Sequence, residues 1–559
     1  MLKFILFAVF VSVAFAQQRV SVTIPQGTLS GVRISTGILQ PEYIAFKGIP
    51  YAEPPVGPLR FRNPVPHRGW SGILDASEHG ASCPHRPLLG ISLPRLSEDC
   101  LFANVYTPSL TGNRPVMVWI HGGAFVLGDG NSGIYGPDFF VNDGGVVLVS
   151  FNYRLGIFGF LSTGDAVAQG NWALKDMVEA LRWVRNNIQH FGGNPNSITI
   201  FGESAGSASV HYLLLTQMGA GLFNRAIMQS GVANGPWGFQ PNPAAEARAL
   251  GQRLGLVFSS HQDLVNQLRN LPFQTIMEQQ QGLMDMTVPR GFNSFAWAPN
   301  VEPANSPEYR FLVDTPVNLM NRGNILTVPM IVGYMSDESL YIIRETLLDD
   351  TVFDQFQRNP HFYVPQSFNL NPVTQAAEVN EVATAFRNLY LGGQHPHTGI
   401  RYNWTVYNTD HHFSFFVDRA LRYHVRRQTQ PIYYYNFHFD GTLNMMKRFL
   451  LLGDYPGAMH ADDIFYMFDV TQFPLPILPN NQALTVRRRM VRMWTNFATF
   501  GDPTPVTDSL ITSRWNRYTL AGQEVLHIDE VNTMRSRPFN GRLQTWHDFQ
   551  DRFNPSYLN

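Results

Sequence analysis

The chain has 559 residues, 44% of them hydrophobic, with 41 basic against 42 acidic side chains, a formal net charge of -1 and only two cysteines. So balanced a charge, with no Lys/Arg cluster longer than Arg487-Arg488-Arg489, gives no footprint for a phosphate backbone and argues against nucleic acid as a partner. The length alone suggests roughly three or four domains, a prior that large α/β domains break.

In chain order, Lys3, a mostly apolar run over residues 4–14 and Ala14-Phe15-Ala16 before Gln17 read as an export signal. The run is too short to span a membrane and closes on an A-x-A cleavage pattern. Residues 1–16 are therefore expected to be removed. In an exported chain Cys83 and Cys100, an even pair at short spacing, read as one disulfide. Closing so short a loop is worth about 3 kcal/mol in the chain-entropy model. Together with His85 the two cysteines complete no zinc-ligand spacing, so no metal is expected. Residues 115–120 (PVMVWI) form a buried-looking strand that runs into His121-Gly122-Gly123-Ala124-Phe125, the kind of turn that supplies half of an oxyanion hole. Residues 145–151 are another near-continuous apolar run, as expected of a parallel strand covered on both faces. Leu174, Met177, Val178, Leu181, Val184 and Ile188 recur at helical spacing and predict a crossover helix.

The extended run 197–201 leads into Gly202-Glu203-Ser204-Ala205-Gly206, and residues 205–215 read as a helix. Strand, GxSxG and helix describe a nucleophile elbow, which lifts a serine hydroxyl out of the sheet and frees the next N–H. A lone GxSxG is as well read as a Gly-rich turn; the HGGAF turn upstream decides for the elbow. A serine is a poor nucleophile until a base takes its proton and a carboxylate holds that base, and the chain order for this architecture is Ser, acid, His. Residues 328–333 form an apolar run followed by Asp337 and Glu338, either of which can be the acid. Residues 432–437 are strand-like, and the long loop after them carries Gly457-Ala458-Met459-His460-Ala461-Asp462-Asp463. Three groups that must meet leave no room for a domain boundary between them, so residues 17–559 are read as one domain. Residues 242–287 and 349–409 look like helix-rich insertions forming a cap over a deep pocket. Asn403-Trp404-Thr405 is a glycosylation sequon, which suggests a surface loop. His411 and His412 lie in no motif and read as ordinary surface or core residues. Residues 484–497 read as a helix on which the three arginines form a solvated face. The polar tail 550–559 carries no membrane anchor.

With these motifs stand Phe46-Lys47-Gly48-Ile49-Pro50-Tyr51-Ala52, Leu59-Arg60-Phe61, Ser97-Glu98-Asp99-Cys100-Leu101, Phe151-Asn152-Tyr153-Arg154 and Gln229-Ser230-Gly231. In this order they resemble the type-B carboxylesterases, the family of the cholinesterases and carboxylesterases, and most of all its secreted insect members, from about Val22 to Phe539. The resemblance implies an α/β-hydrolase fold: a large, mostly parallel central sheet, helices on both faces and a helical cap. It implies Ser204 as nucleophile, His460 as base and Glu338 as acid, since the family pattern is Asp-Glu followed by a small residue. Oxyanion donors are implied at Gly123, Ala124 and Ala205. Arg60 is implied to pair with Glu98 and Arg154 with Asp176, while Glu203 and Ser230 fall beside the nucleophile and behind the histidine, with Asp463 in the same network.

The implied reaction is acyl transfer from a small-molecule ester to Ser204 followed by hydrolysis, with no cofactor. Cholinesterases of this family carry a tryptophan in the first cysteine loop that holds a quaternary ammonium by a cation–π contact. Residues 84–99 contain no Trp, Tyr or Phe, which disfavours choline esters, while Trp237 and many phenylalanines suggest apolar pocket walls. Juvenile-hormone esterases are also similar, but carry GQSAG at the elbow and Asp-Gln in the crossover helix where this chain has Glu203 and Asp176-Met177. The expectation is a general, xenobiotic or odorant-degrading carboxylesterase acting on neutral, apolar esters. The alternatives are a juvenile-hormone-type esterase and a non-catalytic adhesion or binding protein, the latter opposed by the intact Ser204, Glu338 and His460.

Overall fold

Strands dominate the first half of the chain and set the frame: β1 (Arg19–Ile24), β2 (Gly27–Ser35), β3 (Glu42–Pro50), β4 (Ile73–Asp75), β5 (Phe102–Thr107), β6 (Arg114–Ile120), β7 (Val147–Phe151), β8 (Gly193–Glu203), β9 (Arg225–Gln229), β10 (Met330–Met335), β11 (Ile432–Phe437), β12 (Glu524–Ile528) and β13 (Thr533–Ser536). The computed structural model describes residues 18–35, 42–86, 95–279, 295–348, 351–472, 479–537 and 541–557; the export signal expected over residues 1–16 and part of the first cysteine loop lie outside them. Among the described residues the strands form one sheet in the order β1-β2-β3-β5-β7-β6-β8-β9-β10-β11-β12-β13, with β4 beside β2. From β7 to β12 every pairing is parallel. The flanks β1-β2-β3-β5-β7 and β12-β13 are antiparallel.

Parallel strands need crossovers that cover both faces of the sheet, and every residue of β7, β10 and β11 is buried. Successive side chains enter opposite cores, as the pleat requires. Val116, Val118 and Ile120 of β6, with Ile198 and Ile200 of β8, face one core; Met117, Trp119 and Phe201 face the other. The first core takes the crossover helix Trp172–Asn187 and the helix Ala205–Leu215, the second takes the helix Asn481–Phe500.

All six apolar positions that predict the crossover helix are buried, and so is part of its polar side. Asp176 accepts from Arg154 Nε at 2.8 Å and Nη2 at 2.6 Å, and Lys175 Nζ meets Glu302 at 2.7 Å. Pairing offsets the desolvation of such charges, which left alone would be strongly destabilising. Arg60 likewise meets Glu98 through contacts of 2.6 and 2.5 Å and donates to the carbonyls of Leu268 and Leu271. That ties the segment near the Cys83–Cys100 disulfide to the helix His261–Asn270.

The described parts of the insertions are helix-rich, with Pro243–Arg253, His261–Asn270 and Phe273–Glu278 in the first and Val352–Arg358, Ala376–Leu391 and Arg401–Thr409 in the second. Two expectations need correction. Asn403 is exposed, but the sequon sits inside the helix Arg401–Thr409 rather than in a loop; Asn403 Nδ2 donates to the Tyr390 carbonyl and Thr405 is buried. The three arginines do not form one solvated face. Arg489 is buried and donates to the carbonyls of Leu510, Asp529 and Glu530, Arg487 lies 4.3 Å from the Phe139 ring centroid, and only Arg488 is exposed.

Candidate active site

Loops that follow parallel strands gather at the strands' carboxyl ends, and β6, β8, β9, β10 and β11 all deliver candidates there. After β8 the chain turns sharply: Ser204 has φ 59° and ψ -124°, a strained conformation for a residue with a side chain, and the helix Ala205–Leu215 starts at the next residue. The strain is held by Ser204 N–H donating to the Gln229 carbonyl at 2.8 Å. Glycine is needed at Gly206 because a Cβ there would sit 2.0 Å from the Ile120 carbonyl oxygen. As the first residue of its helix, Ala205 has an N–H with no intrahelical acceptor.

After β6, Gly123, Ala124 and Phe125 follow one another at φ 108°, 54° and 63°. Left-handed backbone at Ala124 and Phe125 costs on the order of 1–3 kcal/mol each. It is fixed by the Gly123 carbonyl accepting from Val126 and Leu127 N–H, and by Gly156 N–H donating to Phe125 O at 2.7 Å. Gly123, Ala124 and Ala205 thus lie at the ends of the adjacent strands β6 and β8.

Ser204 Oγ lies 2.8 Å from His460 Nε2, and His460 Nδ1 lies 2.6 Å from Glu338 Oε2. The other Glu338 oxygen accepts from Met335 N–H at 2.9 Å. A carboxylate can only accept, so in the neutral imidazole Nδ1 carries the hydrogen and Nε2 is free to take the serine's. Asp337, the other acid the sequence offers, turns away: its Oδ1 accepts from Tyr402 OH at 2.9 Å.

His460 stands in a loop without regular structure, so its position rests on side chains that sequence motifs do not single out. Asp462 accepts from Met459 N–H at 2.8 Å and Met446 N–H at 2.9 Å, and buried Lys447 donates to the Tyr455 and Gly457 carbonyls and to Asp440.

Two more carboxylates, Glu203 and Asp463, act on the histidine, and Ser230 adds a buried hydroxyl at the end of β9. Glu203 Oε1 is 3.2 Å from His460 Nε2, at ion-pair distance but outside hydrogen-bond geometry. Asp463 Oδ2 accepts from Gln229 Nε2 at 2.7 Å, and Gln229 in turn accepts from Trp494 Nε1. Ser230 Oγ is buried with no hydrogen-bond partner among the described residues. Burial pushes the Glu203 carboxyl up to about 8, aided by the negative charges of Asp463 and Glu338 and opposed by His460. Burial pushes Asp463 up to about 7, against the Gln229 hydrogen bond. For His460 burial acts downward, but Glu203 and Glu338 together outweigh it and raise the imidazole from 6.5 to about 9. Crowded carboxylates stabilise the imidazolium, while burial and their mutual repulsion disfavour their own ionisation.

One apolar side is aromatic. The Phe413 ring packs 4.9 Å from that of His460 and 5.8 Å from that of Trp237. A Cβ at Gly231 would lie 2.3 Å from Ser204 O and 3.0 Å from Trp237 Cη2, so the indole comes up beside the serine backbone. Phe413 is a residue that sequence reasoning missed. It lies in a wide π-helical turn, Asp410–Ser414, beside the two histidines that lack a motif; both are buried. Among the described residues no group of three or more His, Cys, Asp or Glu could hold a metal ion, and no helix is long and apolar enough to cross a membrane.

A family model described as the carboxylesterase family matches residues 18–546. A carboxylic ester hydrolase of Bombus ignitus is 35% identical over 475 residues, 83% of this chain and 82% of that protein. A juvenile hormone esterase of Tribolium castaneum is 32% identical over 513 residues, 88% of this chain and 85% of that protein. Among solved structures, a juvenile hormone esterase from Manduca sexta with OTFP covalently attached superimposes with a TM-score of 0.82 at 27% identity, over 96% of this chain and 100% of that one.

Proposed function

The chain belongs to the carboxylesterase family as a serine carboxylic-ester hydrolase, and we propose that it cleaves neutral, apolar esters through an acyl-enzyme on Ser204. The observation that carries this reading is the unbroken chain of contacts from Ser204 Oγ through His460 to Glu338 at the carboxyl edge of the sheet. His460 Nε2 takes the serine proton as Oγ attacks the ester carbonyl. The oxyanion that forms is stabilised by the N–H groups of Gly123, Ala124 and Ala205, fixed by backbone that does not reorganise during the reaction. Glu338 holds the imidazole's tautomer and stabilises the imidazolium. His460 then protonates the leaving alcohol, and a water activated in the same way releases the acid. Glu203, beside Nε2, and Asp463 stabilise the imidazolium by their charge, and Ser230 is assigned to the same buried surroundings.

Phe413 against His460, with Trp237 packed on Phe413, favours apolar substrates, and residues 84–99 without Trp, Tyr or Phe disfavour choline esters. A juvenile-hormone-type ester is the second reading, favoured by the likeness to the two juvenile hormone esterases and opposed by Glu203 and Asp176-Met177. Export after cleavage at Gln17 and glycosylation at exposed Asn403 belong to the same proposal. The test is rapid-mixing kinetics across a panel of neutral esters of increasing size, a choline ester and a juvenile-hormone-type ester. A burst of alcohol matching the enzyme concentration, with kcat/KM highest for neutral apolar esters, is expected. A linear onset on every ester that is turned over contradicts accumulation of an acyl-enzyme.

A further inference from the structure

Trp237 and Phe413 stand on backbone outside the sheet, and both pieces of backbone are gripped by the same distant segment. The loop that carries Trp237 is tied on one side to the helix after Ser204. Ser207 Oγ donates to the Gly231 carbonyl at 2.6 Å, His211 Nδ1 accepts from Ala233 N–H at 3.0 Å, and Tyr212 OH donates to the Gly238 carbonyl at 2.7 Å. On its other side the Asn234 carbonyl, three residues before Trp237, accepts from Tyr557 OH at 3.0 Å, across 323 residues of sequence. Tyr557 is itself fixed by Arg419, whose Nε and Nη2 donate to its carbonyl at 3.1 and 2.6 Å.

Phe413 sits in the π-helical turn whose first residue, Asp410, is buried. Its carboxylate receives Arg542 Nε at 2.5 Å, Arg542 Nη2 at 3.0 Å and Tyr390 OH at 2.5 Å, and Trp546 Nε1 donates to that same tyrosine oxygen at 2.6 Å. Trp237 Nε1 donates to the His412 carbonyl at 3.1 Å, which links the two halves. One end of residues 542–557 therefore holds the turn under Phe413, and the other holds the loop under Trp237. The helix Arg542–Phe553 fixes the span between them.

We propose that residues 542–557 are a brace that sets the spacing of Trp237 and Phe413 beside His460 and so determines which ester sizes the site accepts. Tyr557 and Arg542 are positioning residues: neither bonds to Ser204, His460 or Glu338, and each acts through backbone that carries a wall ring. The brace rests on the reading of Ser204 as nucleophile and of the two rings as substrate-facing wall.

The test measures kcat and KM for two homologous series of neutral esters, one lengthening the acyl group and one the alcohol, in the parent, Tyr557→Phe and Phe413→Ala. Phe413→Ala widens the wall directly and identifies the series and direction that respond. Tyr557→Phe keeps the ring and deletes the hydroxyl. Losing one ordinary buried hydrogen bond corresponds to about fivefold, so the kcat/KM ratio of large to small ester is expected to shift by about that factor, in the same series and direction as Phe413→Ala. The change should fall mainly in KM for the large ester, with Ser204 still labelled stoichiometrically by an organophosphate. Should Tyr557→Phe not fold, Arg542→Lys, which keeps the charge on Asp410 but loses the fork, is expected to shift the same ratio. An unshifted ratio, or an equal loss on all esters, in a variant that folds overturns the brace while Phe413→Ala still moves the ratio. If Phe413→Ala moves nothing either, the wall itself is misassigned and the brace falls with it.

Discussion

Glu203→Gln should move the acid limb of the pH–rate profile to lower pH. Only neutral His460 can accept the serine proton, so activity falls as pH drops through the histidine's titration. The sequence alone puts that point near the reference value of about 6.5, whereas the structure raises the imidazole to about 9 against the downward effect of burial, with the charge of Glu203 and the charge and hydrogen bond of Glu338 raising it. Glu203 Oε1 is 3.2 Å from Nε2 in a buried site, and Gln removes its charge while keeping its shape. Glu338, with its direct hydrogen bond, remains, so the limb should fall by about one pH unit rather than return to 6.5. On the acidic side of both limbs that is about a tenfold gain for the variant relative to its own alkaline plateau. The assay is kcat/KM on a neutral ester from acidic to clearly alkaline pH, each profile normalised to its plateau. A limb that stays in place or moves upward would refute the electrostatic reading of Glu203.

Glu338→Gln should cost at least about a hundredfold in kcat and Asp337→Asn far less, because only Glu338 holds Nδ1; the reverse order in steady-state kinetics would reassign the acid. Asp176→Asn leaves Arg154 buried beside a neutral amide and should cost about 3–5 kcal/mol, read as a lower denaturation midpoint, while replacing both partners by apolar residues recovers much of it. A choline ester should be turned over no better than a neutral ester of the same acyl group and similar size, since one cation–π partner is worth about 0.5–2 kcal/mol. A clear preference for the charged ester in kcat/KM would mean that another ring, such as Trp237, forms a cation site.

What the sequence made legible lies at strand ends. β6 runs into its Gly-rich turn and β8 into the elbow because apolar runs bounded by glycines are local signals. The choice between Asp337 and Glu338 was not local; it needed the resemblance, and the structure separates the two because Tyr402, 65 residues away, captures Asp337. The same limit explains the misread arginines. A run of three arginines on a helix reads by default as a solvated face, but the carbonyls of Asp529 and Glu530 that accept from Arg489 arrive 40 and 41 residues later. The sequon suggests a loop only by its usual context, while its backbone follows the helical pattern of its neighbours. Phe413 was hidden for a different reason: a π-helical turn widens the helix by one residue locally, and no composition signal marks it. Lys175 with Glu302, paired across 127 residues, is likewise visible only in three dimensions.

The most direct measurement is to react the enzyme with a small organophosphate, map the adduct by mass spectrometry and assay Ser204→Ala alongside. One adduct per chain on the Gly202-Glu203-Ser204-Ala205-Gly206 peptide is expected, with turnover by Ser204→Ala at least about a thousandfold lower and an unchanged circular dichroism spectrum and thermal melt. An adduct on another residue, or a folded Ser204→Ala variant within about tenfold of the parent, would contradict Ser204 as the nucleophile.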